Sequence, residues 1–590
     1  MRTSCLALLA AGILLVACSD SGRRRGGGPG DGDGGPGSGD GGNPGGLGCS
    51  ADLQSVTNSD GNIIMTCPPD QGCFGGQCIA ACDAAGMSKG NVGCNFVAAT
   101  PAFYPSITPP CFAVFVANNW GKDVKISVSR GGMSYDATAF GRIASGSSAS
   151  AASWPALPAT GLPPGEVAVL FLSSDPTSIN VSTPLKCPVA QAVMGGTAVA
   201  GTAKGTAFTI STDAPVSAYD ILPYGGAASF LPAAELLLPT TAWGTNYVAA
   251  VPTKQSGGLG GPQWGQIVAT EDGTSVMINP THALPAGGGM AAAPAGMVTT
   301  FALDAGQYIQ WEDSGDMSGS VISSSKPVAF VGGTGYLCLT SATSPMGGGC
   351  DSGHQMIPPV SALGSEYVAA PFVTRRASLL PESIPYRFVG AVDGTMLTYD
   401  PPVAAAPAHL GRGMVVDFES TIAFAVKSQD SDHPFYVAQL MPGCLVSDGS
   451  RPGEGGAPFG TGGLGDEEFV NVLPPAQFLS KYVFFTDPTY ATTNLVLTRV
   501  KHAGVFEDVT LDCAGTIGGW QPIGGSDTYE YAQIDLWRAK MSVNGCTNGP
   551  HTAQSNGPFG LVVWGTDTFA SYAYPGGGNL GTISTAVVIP

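Results

Sequence analysis

Two unrelated markers recur along this chain with nearly the same period. The first is an apolar-Pro start followed by an aromatic strand: Leu238-Pro239 leads to Tyr247-Val248, Ile357-Pro358-Pro359 to Tyr367-Val368, and Leu473-Pro474-Pro475 to Tyr482-Val483, so the tyrosines lie 120 and 115 residues apart. The second is a polar corner ending in proline before a buried strand: Ala214-Pro215-Val216, Lys326-Pro327-Val328, His433-Pro434-Phe435 and Gly557-Pro558-Phe559, with prolines spaced by 112, 107 and 124. A repeat of about 115 residues is too long for a short solenoid and suits whole domains or large propeller blades.

The local signals inside a unit are strands. Gln266–Thr270 and Thr274–Ile278 are alternating segments on either side of Glu271-Asp272-Gly273, which predicts a hairpin, and Arg387–Ala391 and Thr395–Tyr399 around Asp393-Gly394 repeat the pattern. Asp272 and Asp393 read as turn formers rather than calcium ligands. Further strands at Val298–Leu303, Tyr308–Trp311 and Val321–Ser323 bring a unit to about six or seven, the count of a β-sandwich. Proline at a strand start costs no ladder hydrogen bond, so the corners are compatible with this reading. With 86 Gly, 47 Pro and only 11% charged residues, long helical bundles are excluded, while 44% hydrophobic residues suffice for packed cores. The expected fold is all-β: tandem β-sandwich-like repeats of about 115 residues after a small disulfide-rich module, the alternative being a large β-propeller-like array.

The N-terminus reads as an address. Arg2, an apolar run from Leu6 to Ala17 and Leu15-Val16-Ala17-Cys18 form a lipoprotein signal peptide over 1–17, with Cys18 lipidated. Ser19 fits outer-membrane sorting, so the expected location is the bacterial outer membrane, lipid-anchored, and in one reading the cell surface. Residues 18–48, Gly-rich with the Arg23–Arg25 triplet, have nothing to bury and read as a stalk. Cys49, Cys67, Cys73, Cys78, Cys82 and Cys94 follow within 46 residues, a disulfide module at 49–94 with 15 possible connectivities. Beyond it, Cys338 is paired with Cys350 and Cys513 with Cys546 as local closures, and Cys111 with Cys187, which leaves Cys444 unpaired. Four β-rich units are expected at 95–225, 226–335, 336–446 and 466–590, with a Gly/Pro-rich linker at 447–465 whose exposed end is Asp466-Glu467-Glu468.

Chemical constellations are sparse. A net charge of −19 repels nucleic acid, and six histidines leave little imidazole. Gly86-Met87-Ser88-Lys89-Gly90 matches the nucleophile-elbow pattern without its strand-turn-helix context. His354, near Asp351 and Glu366, reads as a loop histidine beside a disulfide, and Asp430, Asp432 and His433 as a solvated turn. Trp243, Trp264, Trp311, Trp520, Trp537 and Trp564 read as core packing. No catalytic residue, metal ligand or cofactor is expected.

The phrases Trp264–Thr274, Gly319–Ala329, Ile357–Val368 and the Cys350-Asp-Ser-Gly-His354-Gln tract resemble the N-terminal domain family of IgG Fc-binding proteins, best over about residues 200–445. The resemblance implies binding or adhesion and no enzyme activity; the expected partners are an extracellular protein or glycan ligand and, through the lipid anchor read at Cys18, a membrane. Recognition would then fall to loops such as Gly257–Gly261 and Gly347–Gly349. The alternative is an exported polysaccharide-acting hydrolase, which requires two carboxyls facing one another in a groove.

Overall fold

A proline inside a long strand removes a ladder donor, so the chain can bend there and change partners. In a computed structural model of the protein this happens once in every unit. The structure describes residues 46–59, 61–145, 150–253, 261–454 and 463–590; Cys18, the Arg23–Arg25 triplet and most of Gly257–Gly261 lie outside them. In the second unit the strand Val321–Leu337 carries Pro327 at its middle. Its first half pairs with Gly244–Val248 and Thr274–Asn279. Its second half pairs with Gln263–Ala269 and Asp351–Ile357. One strand thus joins the two layers of a sandwich.

The other units repeat this plan. Phe208–Leu222 bends around Pro215 and pairs with Gly93–Ala98 and Ile126–Arg130 before the bend, then with Phe112–Ala117 and Ala233–Leu237 after it. Gly549–Asp567 bends around Pro558. In the third unit the long strand is interrupted, as Phe424–Lys427 and Phe435–Met441 on either side of Pro434. The expected hairpins at Asp272-Gly273 and Asp393-Gly394 do not form. Gln263–Ala269 and Thr274–Asn279 pair with successive stretches of Val321–Leu337 and never with each other. The turn is a corner that follows the bend of its long partner, with Gly273 and Gly394 at φ 64° and 76°.

Each unit ends in a short inner strand, Ala233–Leu237, Asp351–Ile357, Glu468–Asn471 and Ala570–Pro575. Each packs against the next, and the fourth packs against the first, so the four units close a ring. Outward from the axis, the order in each unit is inner strand, long strand, then two further strands, as in Asp351–Ile357, Val321–Leu337, Gln263–Ala269 and Gln307–Asp313. The β-sandwich-like unit and the propeller-like array are therefore two levels of one architecture. After an inner strand the chain turns at Pro239, Pro359 or Pro474 into a single 3-10 turn and starts the next unit. Gly93, Gly244 and Gly364 lie flat against those same three prolines; a Cβ on any of them would come within 2.4–2.5 Å of the ring. The ring is sealed where Asn91 N–H donates to the Gly578 carbonyl and Leu580 N–H to that of Lys89.

Disulfides join Cys49 to Cys73, Cys67 to Cys78 and Cys82 to Cys94 in the N-terminal module. Others join Cys111 to Cys187, Cys338 to Cys350 and Cys513 to Cys546. Among the described residues Cys444 is the free cysteine, and it is buried. No helix among them is long and apolar enough to cross a membrane.

Candidate functional site

The inner strands bring charge to the centre of the ring. Asp220 and Glu235 stand directly opposite one another on antiparallel neighbours, and His354 reaches them from the inner strand of the next unit, its Nε2 2.9 Å from Asp220 Oδ1. All three are 0–2% exposed. Like charges opposite each other in a sheet are destabilising, more so out of water. Burial and the Asp220 charge push the Glu235 carboxyl well above the usual carboxylate range. Burial raises Asp220 too, against the pull of His354. Asp220 Oδ2 and Glu235 Oε2 have no other partner. Asp220 also lines a cavity of about 20 Å³ with Tyr219, Ala234, Phe485 and Tyr574, room for one water.

A second buried set forms where the third unit meets the second and fourth. Asp351, Asp466, Glu467 and Glu468 are each 0–1% exposed. Ser571 N–H donates to Asp351 Oδ2 at 3.3 Å, Asp466 N–H donates to Ser571 Oγ at 3.1 Å, and Leu339 N–H donates to Glu467 Oε1 at 2.9 Å. The cation near Asp466 is Arg375, which Glu382 already holds, Nη2 to Oε2 2.7 Å. Burial raises all four carboxyls, Asp466 to about 6 and the other three well above the usual carboxylate range. Burial thus shifts each of these four carboxyls toward its protonated form. Neither set opens on a groove that could admit a polysaccharide, the geometry that paired-carboxyl hydrolysis needs.

The IgGFc binding protein family matches residues 233–565, from the first inner strand to the long strand of the fourth unit. The chain belongs to the IgGFc binding protein family. It is 26% identical to the human IgGFc-binding protein over 345 residues, which is 57% of this chain and 6% of that protein. No solved structure matches the chain. The family is one of binding proteins, here with β domains. The family match begins only at the last strand of the first unit, yet residues 93–222 build the same bent-strand sandwich and complete the ring.

Set in this family framework, several sequence expectations change. His354 is not in a loop but in an inner strand, and its carboxylate is Asp220 rather than Asp351 or Glu366; Glu366 sits 3.7 Å from Lys427 instead. Asp466-Glu467-Glu468 is not an exposed linker end, because it runs into an inner strand that the ring encloses. The Gly347–Gly349 stretch is tied down: Cys444 and Leu445 N–H groups donate to the Gly348 and Gly347 carbonyls. The described part of the expected linker is also anchored, through Arg451 to Asp535 at 2.7 Å. Asp272 and Asp393 accept backbone N–H groups from Ala305 and Arg412, as turn residues do. His433 Nδ1 lies 2.6 Å from Asp430 Oδ1 in an exposed turn. Ser88 of the elbow-like pattern ends a helix, and its hydroxyl donates to the Ala85 carbonyl. Trp243, Trp264, Trp311 and Trp564 are core residues. Asp220 and Glu235 drew no attention in the sequence, since each is a lone acid in an apolar run. A carboxylate flanked by apolar residues on both sides, as in Ala218-Tyr-Asp-Ile-Leu222 and Ala233-Ala-Glu-Leu-Leu237, is the signal that marks both.

Proposed function

We propose that this protein binds an extracellular protein ligand through the loop face of the third unit, and that a lipid at Cys18 tethers it to the bacterial outer membrane. The membership of residues 233–565 in a family named for binding immunoglobulin Fc carries the reading, so the Fc region of immunoglobulin G is the first ligand to test. Rigid strands position loops, and contact surfaces favour exposed apolar side chains on ordered backbone. Leu379 and Leu380 fit that description: they are 56% and 57% exposed, and Leu379 holds φ 61°, an unfavourable value for leucine. Their loop is braced by Arg376 Nε to Asp448 Oδ1 at 2.9 Å and by Ala377 N–H to the Gly449 carbonyl. The pair is thus presented at little ordering cost on binding.

The test is capture of the purified chain on immobilised Fc, with a panel of secreted proteins and glycans alongside. Leu379→Ser with Leu380→Ser is expected to weaken capture at least about tenfold, as loss of two central apolar contacts does, with an unchanged melting curve. Ile64→Ser, in the exposed strand Ile63–Thr66 of the disulfide module, is the comparator and is expected to change nothing. Failure to bind any protein on the panel, or equal binding by the double variant, defeats the proposal. Cys18→Ser is expected to release the chain from the membrane fraction, because a single lipid anchor is then missing.

A further inference from the structure

Asp220 and Glu235 face each other within hydrogen-bonding reach, and their oxygens Asp220 Oδ2 and Glu235 Oε2 meet no donor from any other residue in a region sealed from solvent. One ligand atom from each of Asp220, Glu235 and His354 lies within 4.8 Å of the others. We propose that these three residues bind a divalent metal ion, zinc, at the junction of the first and second units. One imidazole nitrogen and two carboxylate oxygens are a three-ligand zinc set that leaves a fourth position for water. Asp220 also lines a cavity of about 20 Å³, room for one water on the side of Asp220 that faces the fourth unit. Calcium would need six to eight oxygens, and magnesium several retained waters, whereas Asp220, Glu235 and His354 bring together two carboxylates and an imidazole in a fully buried site.

The supporting packing is rigid. His354 lies opposite Gly333, where the Trp264 ring fills the space that a side chain would take, and the Trp264 and His354 rings are 6.1 Å apart. The imidazole is therefore aimed at the carboxylates by the fold. Asp220 and Glu235 come from the first unit and His354 from the second, so the ion would be enclosed as these units dock, and its binding energy would add to ring closure. Among the described residues, a second grouping whose ligand atoms lie within 4.8 Å of one another, Asp512, Cys513 and His551, lacks a thiolate because Cys513 is in a disulfide. It serves as the internal control.

The experiment is elemental analysis of the full chain purified without chelator, with about one zinc per chain expected. Glu235→Gln and His354→Gln are expected to lose it, while Asp512→Asn retains it. Should the variants fail to fold, the wild-type chain is unfolded in denaturant with chelator, disulfides intact, and refolded with and without zinc. Uptake of one equivalent with a raised melting temperature supports the site. A chain that neither contains zinc nor takes it up on refolding, a different ion in its place, or a zinc lost only with Asp512→Asn overturns it.

Discussion

The Tyr367 hydroxyl donates to the Phe435 carbonyl at 2.6 Å and accepts from the Gly364 N–H at 2.9 Å. Phe435 is the residue after the corner proline Pro434. The same bond runs from Tyr247 to the Val328 carbonyl after Pro327, and from Tyr482 to the Phe559 carbonyl after Pro558. The two markers whose period announces the repeat are thus the two ends of one hydrogen bond. It clamps the bend, where the proline has removed a ladder donor. In the first unit Phe96 takes the tyrosine's place in the core, three residues after Gly93 as Tyr247 and Tyr367 follow Gly244 and Gly364.

Tyr367→Phe is therefore expected to destabilise the protein by about 1–3 kcal/mol, the cost of leaving the Phe435 carbonyl and the Gly364 N–H unpaired in the core. Tyr367→Ala adds a cavity and should cost about 3–5 kcal/mol. Denaturant unfolding of both variants checks this. A Phe variant as stable as wild type would mean that the corner does not depend on the clamp.

The bend itself shows what sequence could and could not reveal. Val328, Phe435 and Phe559 were readable as strand starts because apolar alternation and proline are local signals. That Gln263–Ala269 and Thr274–Asn279 share a partner rather than each other was not readable, since an Asp-Gly turn has the same composition at a hairpin and at a strand corner. The period of 115 residues gave the units but not their closure. Closure depends on inner strands as different as Ala-Ala-Glu-Leu-Leu and Ala-Ser-Tyr-Ala-Tyr-Pro meeting at one axis. Glu468 looked exposed for the same reason: three acids after a Gly-rich segment read as surface unless the ring that encloses them is known.

Arg387 joins the second and third units. Its guanidinium is 2.8 Å from both Asp316 Oδ2 and Asp417 Oδ1, and Nη1 donates to the Val251 carbonyl at 2.8 Å. It is 2% exposed. Arg387→Ala removes these bonds while the partly exposed Asp316 and Asp417 turn to water, and is expected to cost about 1–3 kcal/mol, with Arg387→Lys recovering little because a lysine lacks the planar fork. Thermal unfolding compares them. Full rescue by lysine would show that charge alone matters at this junction.

The acids around Asp466 set a pH dependence. Asp466 is raised to about 6 by burial, against roughly 3.9 in an unfolded chain. Below the unfolded value both states are protonated and the contribution is fully present. As pH rises from about 4 to 6, the unfolded chain releases a proton that the native chain keeps, so stability falls. Burial also raises Asp351, Glu467 and Glu468, whose contributions carry the same sign. Asp400, Asp430 and Asp448, held low by hydrogen bonds, titrate below this window. Unfolding free energies at pH 4.5 and 6.5 should differ less in Asp466→Asn than in wild type, by roughly 1–3 kcal/mol. An identical pH slope in the variant would remove Asp466 as the cause.

Cys444 provides a probe of the whole assembly. Its Sγ donates to the Gly348 carbonyl at 2.8 Å, it is 1% exposed, and burial pushes its thiol well above the ordinary range. Thiolate is the reactive form, so a native thiol that is both covered and protonated should not react. The twelve cysteines in six disulfides are silent without reductant. Among the described residues, a thiol reagent applied to the non-reduced protein should therefore label nothing at 25 °C, then a single site, Cys444, once denaturant opens the third unit. Peptide mapping locates the label. Because Gly348 and Cys444 meet at the loop face that carries Leu379 and Leu380 through Asp448 and Gly449, the rate of labelling in dilute denaturant also reports how firmly that face is held. Rapid labelling of the native chain would mean that these loops open freely, and that the proposed contact surface lacks the ordered backbone on which it depends.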